Sequence, residues 1–497
     1  MSKAPGARSA RWFLPIIILV YLVLGILYAA YTPDWQAPDE PAHYNYIRYL
    51  AEQHRFPVLK PGDFPAAYLE EIKGAKFPPE MSIEPIRYEF HQPPLYYLLA
   101  VPFYGLFNGS LLPLRVLSVL LGSLLLLVVY WAVEALVPHR PYLALGSTAF
   151  VAFLPMHLAM TAAVNNDILS ELLLAVVLLL TIRYLRPEVR PGGPEPEVRL
   201  LVLLGVTTGL GLVTKSSLYI VPALVLPAIV ARKFWLEGQE TVVAQTLKSW
   251  AIYLVPAVGL ALPWWLRNMA TYGGYDFLGL GRHEQVVVGQ LRTADFVAQF
   301  GLPRLIQDFV LTSFHSFWGQ FGWMGVLLDQ RLYQALAILS ALAAIGFLVW
   351  FARIWRRRTS LPGWQWVAGG LLCLWVVLTL ASYAWYNLTF LQHQGRYLFR
   401  ALMPIGLAVA LGWRESLRRD LALPLAGLLV LGAVLLRIAG LLPNWPLLMA
   451  LVVAIGLGAR YLLPRRFDAI AHATPYLALI VLDLASLFLF VVPQLAA

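Results

Sequence analysis

WFLPIIILVYLVLGILYAAYTPDWQAPDEPAHYNYIRYLAEQHRFP, residues 12 to 57, sets two kinds of chemistry side by side. Residues 12 to 31 carry no charge and are long enough, as a helix, to cross a hydrocarbon layer about 30 Å thick. Asp34, Asp39 and Glu40 follow at once, with Pro38 and Pro41 stiffening the chain, and the spacing of Tyr44, Ile47, Tyr49 and Leu50 predicts a short amphipathic helix to Gln53. Lys3, Arg8 and Arg11 precede the span and place the amino terminus on the cytoplasmic side. The competing reading, a signal peptide cleaved near Ala29-Ala30, needs a shorter apolar region than this one.

The rest of the chain extends that pattern. Of 497 residues, 60% are hydrophobic and 13% charged, against about 45–50% and 25% in soluble globular proteins. That excludes both a soluble globular chain and a disordered one, and predicts an all-α integral membrane protein. The 17 Trp, 24 Tyr and 24 Phe suit interfacial belts and aromatic-lined cavities. Cys373 is the sole cysteine, so neither an internal disulfide nor a cysteine metal site can form.

Thirteen spans are expected, at 12–31, 112–137, 142–163, 167–185, 199–214, 216–231, 249–266, 332–352, 362–384, 397–413, 421–437, 445–461 and 473–493. The stretch PPLYYLLAVPFYGLF, residues 93 to 107, is short and proline-bearing and reads as a helix lying along the interface. With it flat, RYLRPEVRPGGPEPEVR, ARK, ARIWRRR, WRESLRRD and ARYLLPRRF all fall inside, which satisfies the positive-inside rule at five loops. The net charge of +10 is thereby topological, and nucleic-acid binding has little support. Two long segments, 32–95 and 267–331, then lie outside. Loops of that length are usually functional.

Four constellations could carry chemistry. Asp39 and Glu40 stand at a helix amino terminus with His43 one turn on; capping is the ordinary role of acids there, but a partly desolvated carboxylate at the mouth of a bundle can also act as a base. His91 and Gln92 close the first long loop just before Pro93-Pro94. Asn165, Asn166 and Asp167 mark an outer turn, with Glu171 one helical turn deeper, where a carboxylate requires a partner. Asp167 caps the following helix or joins Asp39, Glu40 or His91 in holding a cation. Lys215, Arg267 and Arg396 interrupt apolar sequence at outer ends, where snorkelling is the alternative to holding a phosphate. Asp483, midway in the last span, has no evident partner and is left out of the site.

With PDEPAHY, HQPPLYY, NND, VTKSS and WWLRN in this order, the chain resembles the GT-C class of membrane glycosyltransferases. Within it the likeness is to the polyprenyl-phosphate-dependent group of protein O-mannosyltransferases and lipid A aminoarabinose transferases. The resemblance implies a GT-C-like bundle of about 13 helices and inverting transfer of a sugar from a polyprenyl-phosphate carrier to a lipid, glycan or protein, on the extracytoplasmic side of a bacterial plasma membrane. It implies Asp39 as general base with Glu40 beside it, and Lys215, Arg267 and Arg396 for the donor phosphate. His43, His91, Gln92, Asn166, Asn268, Gln394 and Tyr397 complete the substrate-binding set, and Asp167 and His91 are the candidate ligands of a divalent metal ion. The residues before the proline pair, often acid-Lys in relatives, are His91-Gln92 here. The organisation expected is a tail at 1–11, a catalytic module at 12–413 and C-terminal helices at 414–497. The rival class is a transporter or flippase of lipid-linked sugars, which should show repeats and polar pairs at the bilayer midplane.

Overall fold

Backbone that crosses lipid must satisfy its own hydrogen bonds, and long apolar helices dominate the computed structural model, which describes residues 12–186, 196–237, 242–357, 361–440 and 444–496. The tail 1–11 and most of the linker-like stretch 187–198 lie outside the described residues. Among the described residues, ten helices are long and apolar enough to span, from Phe13–Tyr31 to Arg465–Leu495. An eleventh span is broken: Pro141–Ala152 and Pro155–Thr161 meet at 67°, because Pro155 forces Leu154 into extended backbone and restarts the helix. The chain is an integral multi-pass membrane protein.

The count of thirteen is not reached by length and composition. The expected spans 199–214 and 397–413 are helices of 17 and 15 residues, Pro196–Leu212 and Leu402–Ser416. The latter is shortened because Gly395–Ala401 winds as a tighter 3-10 turn. Residues 93–107 contain the 12-residue helix Leu95–Leu106, too short to cross, as expected.

Both long segments gather at one end. The Leu59 amide donates to the Tyr272 hydroxyl at 3.2 Å, and the Trp323 indole donates to the Trp35 carbonyl at 3.0 Å. The first segment has a core of its own, with Leu69, Ile72, Phe77, Ile86 and Tyr88 packed over Ala42 and Val287. Elsewhere the chain gathers its arginines: Arg353 meets Glu415 and Asp420, and Arg419 and Arg460 both reach Asp468 at 3.0 Å.

Two helix pairs show how the bundle closes. Gln330–Arg356 and Leu402–Ser416 cross so tightly that a Cβ on Gly346 would strike the Gly412 carbonyl, and one on Gly412 the Ala343 carbonyl. In the broken span, His157 meets Glu171 at 2.9 Å and supplies the partner that this carboxylate requires.

Candidate active site

Asp39 sits in left-handed backbone, φ 68°, at the start of the helix Glu40–Gln53. Its carbonyl accepts from the amides of Ala42 and His43, both at 3.1 Å, but its side chain makes no cap. Freed from that role, the carboxylate accepts from the Tyr88 hydroxyl at 2.8 Å and from the Arg396 guanidinium at 2.7 Å. It remains 27% exposed, open enough to meet a ligand.

Glu40 points the other way. It is fully buried, takes the Arg115 guanidinium through both oxygens at 2.9 and 2.6 Å, and accepts the Val164 amide at 3.1 Å. Arg115 also donates to the carbonyls of Ala29, Thr32 and Pro33. The geometry therefore departs from the expectation of two carboxylates side by side at the chemistry: Glu40 is engaged at every oxygen, and it ties the loop after the first helix to the Asn165-Asn166-Asp167 turn.

That turn supplies the second anion. The Lys215 ammonium lies 2.6 Å from Asp167 and 2.9 Å from the Asn166 side-chain oxygen, and Asn166 donates in turn to the Thr214 carbonyl at 3.2 Å. His43 shares a 2.8 Å hydrogen bond with the Tyr97 hydroxyl, and Tyr97 stacks on Tyr46 with ring centroids 3.7 Å apart. Gln92 is buried, accepts the Tyr46 hydroxyl on its carbonyl at 3.0 Å, and stands 3.5 Å from Asn166. Gln394 accepts from Arg396 at 2.6 Å, and the Arg396 guanidinium lies over the Tyr397 ring. Asp39, Arg396, Gln394 and Tyr397 form one polar cluster and His43, Gln92, Asn166, Asp167 and Lys215 a second, and the charges of His43 on Asp39 and of Arg396 on Asp167 couple the two.

Three expected members stand apart. Arg267 lies against the rings of Trp264 and Tyr272, donates to Asn268 at 2.9 Å and reaches the Pro57 carbonyl. Asn268, fully buried, donates to the Phe277 carbonyl at 3.0 Å. Arg267 pins the two long segments together and Asn268 closes a turn within the second, and among the described residues no hydrogen bond or ion pair joins either to Asp39, Lys215 or Arg396. His91 bonds the Tyr88 carbonyl at 3.0 Å and packs on His283, ring centroids 4.5 Å apart. Asp167 and His91 therefore face different partners and do not meet the expectation of a shared metal ion; no group of three His, Cys, Asp or Glu placed to hold one occurs among the described residues.

Two residues outside the sequence-derived set belong here. Glu89 leaves one carboxylate oxygen buried without a partner, and its charge acts on His43, Asp39 and Lys215. Arg400, one turn beyond Arg396, donates only to the Tyr397 carbonyl and the Ser382 hydroxyl, at 3.3 and 3.2 Å. Among the described residues no carboxylate pairs with it, and with Glu171 it lines a small cavity of about 10 Å³. The signal for Arg400 was its spacing from Arg396 in GRYLFRAL; for Glu89, its place two residues before His91.

Electrostatics follow from this packing. Burial opposes ionisation of Asp39, but the guanidinium of Arg396, His43 and the Tyr88 hydroxyl outweigh it and hold the carboxyl at about 2. Glu89, lacking such a partner, is raised by burial. Burial lowers His43 against the pull of Glu89 and Asp39, and lowers His91 to about 4. Near neutrality the pocket holds an ionised Asp39 beside neutral imidazoles.

Known structures share this architecture. ArnT from Cupriavidus metallidurans, bound to undecaprenyl phosphate, superposes with TM-score 0.51 at 14% identity over 96% of this chain and 76% of its own. Its apo state gives 0.53, also at 14%, over 96% and 77%. The Archaeoglobus fulgidus oligosaccharyltransferase, tethered to an acceptor peptide containing the NVT sequon, gives 0.51 at 14% identity over 95% and 56%. This chain has the GT-C fold. The family model for dolichyl-phosphate-mannose-protein mannosyltransferase matches residues 49–274, just under half of the chain. No curated protein matches it. Within that GT-C frame, the matched segment carries His91, Gln92, Asn166, Asp167, Lys215 and Arg267, whereas Asp39 and Arg396 lie on either side of it.

Proposed function

We propose that the chain transfers a sugar from a polyprenyl-phosphate carrier to an acceptor hydroxyl or amine, with inversion, on the extracytoplasmic face of a bacterial plasma membrane. The observation that carries the reading is the Asp39 carboxylate, held between Tyr88 and Arg396 at the end where both long segments meet, with the Asp167–Lys215 pair close enough for Arg396 to act on Asp167. The GT-C fold and the mannosyltransferase model support it.

In this mechanism the donor phosphate enters among Lys215, Arg396 and Arg400. Arg400 has no anion to give up and engages it first; Arg396 then exchanges Asp39 for the phosphate, which frees Asp39 to face the acceptor. The acceptor attacks the anomeric carbon, the carbon–oxygen bond to phosphate breaks with its electron pair going to phosphate, and Asp39 takes the acceptor proton. A single displacement inverts the anomeric centre. Asn166 and Gln394 position the two cations, and Tyr88 orients the base. A positioned carboxylate of this kind contributes on the order of 10²–10⁴ in rate. Asp167 and His91 form no common centre, so no step is assigned to a metal. In this proposal the catalytic module ends near residue 413.

Full-length protein in detergent, incubated with a panel of polyprenyl-phosphate-linked labelled sugars and a membrane extract as acceptor source, tests the proposal. Expected are free polyprenyl phosphate and a labelled covalent product, both reduced about 10²–10⁴-fold by Asp39→Asn. Carrier movement across vesicles without a covalent product would replace the enzyme with a flippase.

A further inference from the structure

The last membrane helix carries a carboxylate that none of this chemistry uses. Asp483 lies within the apolar run Arg465–Leu495, is fully buried, and neither of its carboxyl oxygens has a hydrogen-bond partner. Ser486, one turn on, is fully buried, and its hydroxyl faces that of Tyr28. At this point the α-helix Asp468–Ala485 gives way to the wider π-turn Ser486–Val491, a local rearrangement that recurs at functional sites. From the first helix comes Tyr28, 1% exposed, whose hydroxyl donates to the Asp483 main-chain carbonyl at 3.0 Å.

A carboxylate inside a membrane bundle requires a positive partner, and buried polar atoms are almost always satisfied. A proton would occupy one carboxyl oxygen and leave the other unmatched. A cation engages both, together with the Ser486 hydroxyl. Oxygens around a cation of calcium's size, which is also sodium's, each stand about 2.3–2.6 Å from it, which holds them apart from one another rather than in mutual hydrogen bonds, as the Asp483 carboxylate and the Ser486 hydroxyl are here. The donors are all oxygens, the ligand type of hard cations. One carboxylate balances one charge; a divalent ion would leave a second uncompensated in the apolar layer. We propose that Asp483, Ser486 and Tyr28 hold a sodium-sized monovalent cation that clamps the first membrane helix to the last.

Thermal unfolding of the full-length protein in detergent, followed by tryptophan fluorescence in sodium, potassium or choline chloride at equal ionic strength, tests the site. Sodium should raise Tm saturably over choline, and Asp483→Asn should lose that rise, while Glu84→Gln, on the exposed loop, keeps it. Should Asp483→Asn fail to fold, Ser486→Ala, which removes one ligand, should shift the half-saturating sodium concentration upward several-fold. Equal Tm in sodium and choline, a sodium response unchanged in both variants, or a Tm that follows pH but not sodium would each overturn the proposal.

Discussion

Asp39 and Glu40 are chain neighbours with opposite fates, and the left-handed backbone at Asp39 divides them. Asp and Asn are the non-glycine residues that tolerate this conformation best, so Asp39→Asn keeps the turn and removes only the charge. Transfer should fall by about 10²–10⁴ while the yield of folded protein holds, measured as product formed per purified protein. The pair with Arg396 also sets a pH dependence. Because the folded pKa, about 2, lies below the ordinary aspartate value of about 3.9, the stabilisation is fully present above the ordinary value. It is lost as pH falls through about 2. Arg396→Gln removes the cation, so the acid limb of the pH–rate profile should move upward and KM for the donor should rise; a limb that stays in place would take Arg396 out of contact with the base. Glu40 carries a different consequence. Arg115→Leu leaves a buried carboxylate unpaired, and about 3–5 kcal/mol of stability should go with it, read as lost Tm, with Glu40→Gln in the same chain restoring part.

At the scale of elements, apolar length made most helices legible, because a run of nonpolar residues in lipid has no alternative to the helix. Its interruptions were harder to see. Pro155 breaks a span that the apolar pattern shows as continuous, and Gly395–Ala401 winds as a 3-10 turn where hydropathy suggests the start of a helix. That tighter winding matters to the site, since it carries Arg396 and Arg400. Helix pairing was not legible either: Gly412 looks like any membrane glycine, yet it is where Leu402–Ser416 meets Gln330–Arg356. Gly412→Leu should cost about 1–3 kcal/mol through overpacking, whereas Gly458→Ala, with nothing near its Cβ position, should leave Tm unchanged. Unfolding curves of the two variants decide it.

The whole molecule is polarised, with the two long segments at one end and arginine–carboxylate clusters elsewhere. If the segment end faces outward, a Glu80→Cys variant lacking Cys373 should react with an impermeant maleimide in intact cells. Arg357→Cys should react only after permeabilisation. The reverse pattern would place the chemistry on the cytoplasmic side.

Membrane residence, helix positions and the presence of unusual charges at helix ends were determined by the sequence, since each depends on runs of neighbouring residues. Which charges meet was decided only by the tertiary structure. Asp39 finds Arg396 across 357 residues of chain and Glu40 finds Arg115 across 75, while Arg267, an equal candidate by sequence, is held between aromatic rings instead. Ion pairing depends on distance through space, and that distance is fixed by how helices pack rather than by the order in which they are made.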